Sequence, residues 1–184
     1  MAKVIRFTLD PNSIERAARE VNRFAMQVQY IVDELVRRLT DEGVNVAIAH
    51  IYAMDAYDTG DLVDSISGYY NDETHTGFVF AGSFHAIYVE YGTGIVGKSN
   101  DEHPEIQGEW KPPPSQYTEH DTNHHGEAGW WYKAPFGWYM PADGSGVRLA
   151  WTKGMRARPF MYETQKRLEQ MSVDIYNQLF SNIT

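Results

Sequence analysis

One apolar stripe near the N-terminus limits what this chain can become more than any other feature. Ile14, Ala18, Val21, Ala25, Val28, Val32, Leu35 and Leu39 follow one another at alternating steps of four and three residues. That spacing lays all of them along one side of an α-helix. Glu20, Arg23, Asp33, Glu34, Arg37 and Arg38 fall off the stripe, while Ala17, Phe24 and Ile31 widen it on one side. A widened stripe suits packing on a sheet better than an isolated coiled coil. Asp10-Pro11-Asn12-Ser13 supplies turn and N-cap residues in front of it. Gly43 is expected to close the helix as its C′ residue. A second, Ala-rich helix is expected from Val44 to Tyr57, with His50 as a hydrogen-bonded core residue.

Around the helices the period changes to two. Val4 to Leu9 alternates as a short strand would. Ser65 to Tyr70 and Thr76 to Ser83 read as strands joined by the turn-rich loop Asn71 to His75, hence as antiparallel neighbours. His85 to Tyr91 is either a third strand or a short helical turn. Tyr69, Tyr70, Phe78, Phe80, Tyr88 and Tyr91 suit cross-strand aromatic pairs. From Ile95 to about Gly129 neither period survives, and Pro112-Pro113-Pro114 interrupts the run. A long loop or insertion is expected there, more mobile than the sheet until the protein assembles. Trp130-Trp131-Tyr132 and Phe136-Gly137-Trp138-Tyr139 follow, then a turn at Ala142 to Gly146 and a returning hairpin strand at Val147 to Thr152. Pro159 suits the first turn of a final helix reaching about Ser181. The expected fold is α+β: a small antiparallel sheet packed by a long N-terminal helix and a C-terminal helix. It forms one domain over 1–184, with an aromatic-rich insertion at about 95–150.

The charge pattern excludes some functions. Residues 41–91 hold nine Asp and Glu and no Lys or Arg, which equals the net charge of −9 for the whole chain. A stretch like that does not grip phosphates. It suits a solvated acidic face, one that DNA slides past, or one that meets a basic partner. There is no cysteine, so there is no disulfide framework and no thiol chemistry. The N-terminus lacks a signal-peptide pattern, and no apolar run approaches the ~20 residues of a membrane span.

Three constellations bear on chemistry. His120, His124 and His125, with Glu119, Asp121 and Glu127 nearby, are the candidate metal ligands. They lack a His-Glu-x-x-His pattern and sit in Gly-rich, aperiodic sequence, so a solvated loop is the plainer reading and no stoichiometric metal is expected. Trp130, Trp131 and Trp138 could stack on sugars, although buried or interfacial roles suit them better. No Gly-x-Ser-x-Gly elbow, phosphate loop or acid–base carboxylate pair is present. The sequence therefore predicts no catalytic residue and no cofactor. The competing readings are a metal-dependent hydrolase on the His120/His124/His125 loop and a carbohydrate-binding module on Trp130/Trp131/Trp138.

Three short motifs point elsewhere. They are Asp58-Thr59-Gly60-Asp61-Leu62 with Ser65-Ile66, then Tyr88-Val89-Glu90-Tyr91-Gly92-Thr93-Gly94, then Ala157-Arg158-Pro159-Phe160. In this order the chain resembles the tail-completion (neck, head–tail joining) proteins of long-tailed bacteriophages, over roughly Ile14 to Gly94 and Arg156 to the C-terminus. The resemblance implies a structural virion protein, assembled in the bacterial host cytoplasm. It implies a ring of copies, six by family likeness, between a head-completion or connector protein and a tail tube or tail terminator protein. Double-stranded DNA would pass through without sequence-specific binding, and no membrane is involved. Tyr88, Glu90, Tyr91, Gly92, Thr93 and Gly94 are the candidate assembly surface, with Trp130 and Trp131 beside them in role.

Overall fold

The computed structural model describes residues 4–93, Val96, the backbone of 130–133, Gly146 and residues 148–181. The chain is α+β and forms two compact units. The first comprises residues up to Ala49, Ile66–Ala81 and the C-terminal helix from Glu163. The second comprises His50–Ser65 and Gly82–Tyr162. Among the described residues no helix is long and apolar enough to cross a membrane.

Helix α1 spans Pro11–Ala53, 43 residues without a break, or about 65 Å at the usual rise. Its start is tied by reciprocal hydrogen bonds. Ser13 N–H donates to Asp10 Oδ1 at 3.0 Å, and Thr8 N–H donates to Ser13 Oγ at 2.9 Å. The first satisfies a donor that a helix start leaves open, and the second ties the preceding chain to it. The Thr8 hydroxyl, and after it the Ser13 N–H, hold the Asp10 carboxyl below the usual carboxylate range.

Two expectations fail here. Val4 to Leu9 forms no strand, and Gly43 does not end the helix. The expected second helix is the continuation of the first, to Ala53. The reason lies across the core. A Cβ on Gly43 would sit 2.6 Å from Val79 Cγ2 and 3.1 Å from Leu168 Cδ1. Gly43 is the point where a strand and the C-terminal helix press closest on α1. Packing retains a residue whose helix propensity is poor by about 1 kcal/mol.

Strands β1 (Ile66–Asn71) and β2 (Thr76–Ala81) form the expected antiparallel hairpin, with Tyr69 opposite Phe78 and Gly68 opposite Val79. The tip is an Asx turn, where Asn71 Oδ1 accepts the N–H groups of Glu73 and Thr74. One face of the hairpin lies on α1. Cβ atoms on Gly68 and Gly77 would meet Thr40, Val44 and Val36 at 2.0–3.0 Å. The other face carries Tyr69, Phe78 and Phe80, all about half exposed. Tyr69 and Phe78 form the anticipated cross-strand ring pair, with centroids 6.5 Å apart. Tyr70 instead lies under the Arg37 guanidinium at 4.0 Å.

In the second unit, helix α2 (Asp61–Asp64) leads from Gly60, whose φ of 99° lies in the left-handed region that glycine enters freely. The segment that opens the second motif is helix α3 (Ala86–Tyr91), the helical alternative and not a strand. Strands β3 (Trp130–Lys133) and β4 (Leu149–Thr152) make the predicted second hairpin, with Trp131 opposite Trp151. Strand β5 (Gly154–Met155) bridges to Thr93. Helix α4 (Phe160–Phe180) starts within this unit and continues into the first, ending within one residue of its expected limit. Leu62, Tyr88, Val89, Leu149, Ala157 and Phe160 are buried in the second unit.

Candidate functional site

The three motifs stand far apart in sequence and converge in the second unit. They share the wall of one cavity of about 460 Å³, within the size range of pockets that hold small ligands. The first motif contributes the turn Asp58-Thr59-Gly60 and the start of α2. The second contributes Tyr88 and Val89 of α3, and the third contributes Arg158. Asp55 and Tyr57, from the end of α1 and the loop behind it, complete one side. Local chemistry explains the first wall. The positive φ of Gly60 turns the chain into α2, and Thr59 Oγ1 accepts the Asp61 N–H at a long 3.4 Å.

Electrostatically the wall is unbalanced. Among the described residues of the wall, Asp55, Asp58 and Asp61 stand with Arg158 and His85. The Nε of Arg158 is buried and has no hydrogen-bond partner among the described residues. Its main chain, by contrast, is fixed: the Arg158 N–H donates to Val89 O at 2.7 Å, and the Phe160 N–H donates to Arg158 O at 2.8 Å. A buried guanidinium N–H without an acceptor is costly.

Glu90 does something different from what its motif suggested. Its carboxylate oxygens accept the main-chain N–H groups of Met161 and Tyr162, each at 2.9 Å. It is only 8% exposed. Glu90 thus caps α4 from outside that helix, placing a negative charge at the positive end of the helix dipole. The reading of Glu90 as a contact on a joining surface gives way to this: the side chain is turned inward and already engaged.

Its neighbours behave alike. A Cβ on Gly92, at φ 71°, would meet Ala157 N at 2.6 Å and Met155 O at 2.7 Å. The backbone at Gly92 therefore lies close against its own chain. Thr93 is buried, and its Oγ1 accepts the Met155 N–H at 3.1 Å. Tyr88 is buried, and Tyr91 stands 36% exposed, the most accessible described side chain of this motif. Gly94, Trp138, His120, His124 and His125 lie outside the described residues, as does nearly all of the 95–129 segment. Trp130 and Trp131 are placed as backbone in β3.

The sequence reading missed Arg158 and Asp55 as cavity residues. The signal for Arg158 was present, since it lies inside the third motif. Asp55 carried none, because its place depends on the chain turning back after α1. Among the described residues no group of three His, Cys, Asp or Glu side chains could hold a metal ion. No family model, curated protein or solved structure matches the chain.

Proposed function

We propose that this chain is a structural protein of the phage neck, a tail-completion protein forming a ring between connector and tail tube through which DNA passes. The observation that supports this most is an uncovered apolar stripe. Along the first half of α1, Ile14, Val21 and Phe24 are 46%, 52% and 36% exposed, and Ala18 and Ala25 beside them are exposed as well. An apolar stripe on a helix is a surface for packing against another element. Left wet, the stripe forfeits about 25 cal/mol for each Å² that a partner would cover. Such a chain is built to be finished by assembly. The motifs carrying the neck resemblance brace the fold and wall a cavity, which suits a subunit whose work is done by shape. The acidic stretch 41–91 suits a passage that does not retain DNA.

The test is genetic. In a phage or prophage that encodes this chain, removing its gene should give DNA-filled heads and complete tails that stay separate. Joining should return when the protein is supplied from a plasmid. Normal particles without the gene would end the neck reading.

A further inference from the structure

We infer that the acidic cavity of the second unit receives the N-terminal Val4–Leu9 segment of a second copy. The inference deepens the ring reading above and rests on it. Two observations, one on each side, carry it.

The cavity side is a receptor with mixed demands. Asp55, Asp58 and Asp61 outnumber Arg158 on its wall, so the site attracts a cation. Arg158 stands on the same wall, and its guanidinium can donate to the main-chain carbonyls of an extended peptide. Tyr57, Tyr88 and Val89 provide apolar wall between these poles. One ligand class answers all three: a short extended peptide with one basic and several apolar side chains.

The segment side is such a peptide. Val4-Ile5-Arg6-Phe7-Thr8-Leu9 has the alternation and composition of a strand, yet it forms none. Val4, Phe7 and Leu9 are 72%, 60% and 89% exposed. Arg6 has no ion-pair partner among the described residues, and its positive charge complements the wall. The hydrogen bonds linking Thr8, Asp10 and Ser13 fix the base of the segment to the start of α1. The four residues before Thr8 span about 13 Å when extended, enough to reach beyond their own helix start. Exchange of a short segment between identical copies is a low-cost way to link them.

The chain has no cysteine, which makes cross-linking clean. One full-length variant carries Val4→Cys and the other Thr59→Cys, with tags of different size. Mixed and treated with a short bis-maleimide, they should give a heterodimer as the main product. Arg6→Glu in the first copy, or Asp58→Asn with Asp61→Asn in the second, should cut its yield at least fivefold. A synthetic Val-Ile-Arg-Phe-Thr-Leu peptide should bind the full chain saturably, one per chain, and about tenfold more weakly to Arg158→Gln. Heterodimer yield unchanged by the charge substitutions, or no higher than with a control cysteine at Tyr176, would overturn the contact. So would peptide binding indifferent to Arg158. If imaging still shows rings in that case, the contact is refuted and the ring reading stands. If the protein never forms rings and the gene proves dispensable for joining, the neck reading falls.

Discussion

Glu90 accepts the main-chain N–H of Met161 at 2.9 Å across 71 positions of sequence. With the matching bond from Tyr162, this ties the end of α3 to the start of α4. Both donors belong to the first turn of a helix, where the chain itself supplies no acceptor. Their acceptor is a buried carboxylate, so each bond is of the stronger, charge-assisted kind.

The first prediction follows from that pair. Glu90→Ala leaves two donors without an acceptor in a buried place, and should cost about 2–4 kcal/mol in urea denaturation. Glu90→Gln keeps one acceptor oxygen and should cost less, about 1–2 kcal/mol. Glu90→Arg sets a cation against the positive helix end and should lower the melting temperature more than either. A Glu90→Arg protein melting like its parent would show that the carboxylate faces solvent.

A second prediction reverses an ordinary rule. Gly→Ala inside a helix normally stabilises by about 0.5–1 kcal/mol. At Gly43 the new methyl would meet the stiff, β-branched Val79 at 2.6 Å, so Gly43→Ala should destabilise by about 1–2 kcal/mol, as overpacking does. Gly43→Ala combined with Val79→Ala should recover part of that loss. Denaturation of the two single variants and the double variant measures the coupling.

Gly43 and Glu90 also show where sequence stops informing. The helix stripe, both hairpins and the final helix were all legible, because each is written in local period or local turn chemistry. Gly43 was misread because a glycine after Asp41-Glu42 looks the same whether it ends a helix or admits a neighbour. The deciding atoms belong to Val79 and Leu168, far along the chain. Glu90 was found as part of a motif, but its role was hidden because its partners are backbone N–H groups, which have no sequence signature. The same holds for the cavity. Its wall could be named motif by motif, but that the motifs share one wall is a fact of topology.

A third prediction concerns pH at the tip of the first hairpin. Asp33 Oδ1 accepts the Gln29 amide at 3.0 Å and the Tyr70 hydroxyl at 3.1 Å, and lies 2.9 Å from His75 Nδ1. Partial desolvation pushes its carboxyl up, but the bonds from Gln29 and Tyr70 and the charge of His75 outweigh this and hold it below its ordinary value. Desolvation, and then the bond to Asp33, push the Tyr70 hydroxyl up. A depressed carboxyl stabilises above its unfolded value, and that contribution is lost as pH falls through the folded one. Amide exchange at Asn71 to Thr76 should therefore quicken on acidification below the usual aspartate range, and Asp33→Asn should flatten that response. An unaltered pH profile in Asp33→Asn would remove Asp33 from the tip.

The last prediction separates folding from assembly on the same helix. Val21 and Ile51 are both apolar residues of α1, but Val21 is 52% exposed and Ile51 is fully buried. Ile51→Asp puts an unpaired charge into the core and should cost several kcal/mol, enough to unfold a domain of ordinary stability. Val21→Asp adds a charge to a surface already in water, where most substitutions stay within about 0.5 kcal/mol, so the melting temperature should hardly move. Val28, half-buried on the same stripe, should behave nearer to Val21 than to Ile51. If the stripe is covered only in the assembled ring, Val21→Asp must act there, because burying a carboxylate in an apolar seam costs far more than leaving it in water. The expected result is a Val21→Asp protein that is folded and soluble at any concentration. Its mass by light scattering should be that of one chain where the parent associates, and it should fail to restore joining in the gene-deleted phage. Parent and variant associating alike would leave the stripe as plain solvent-facing helix. A variant that unfolds would show that the stripe is covered within the chain itself.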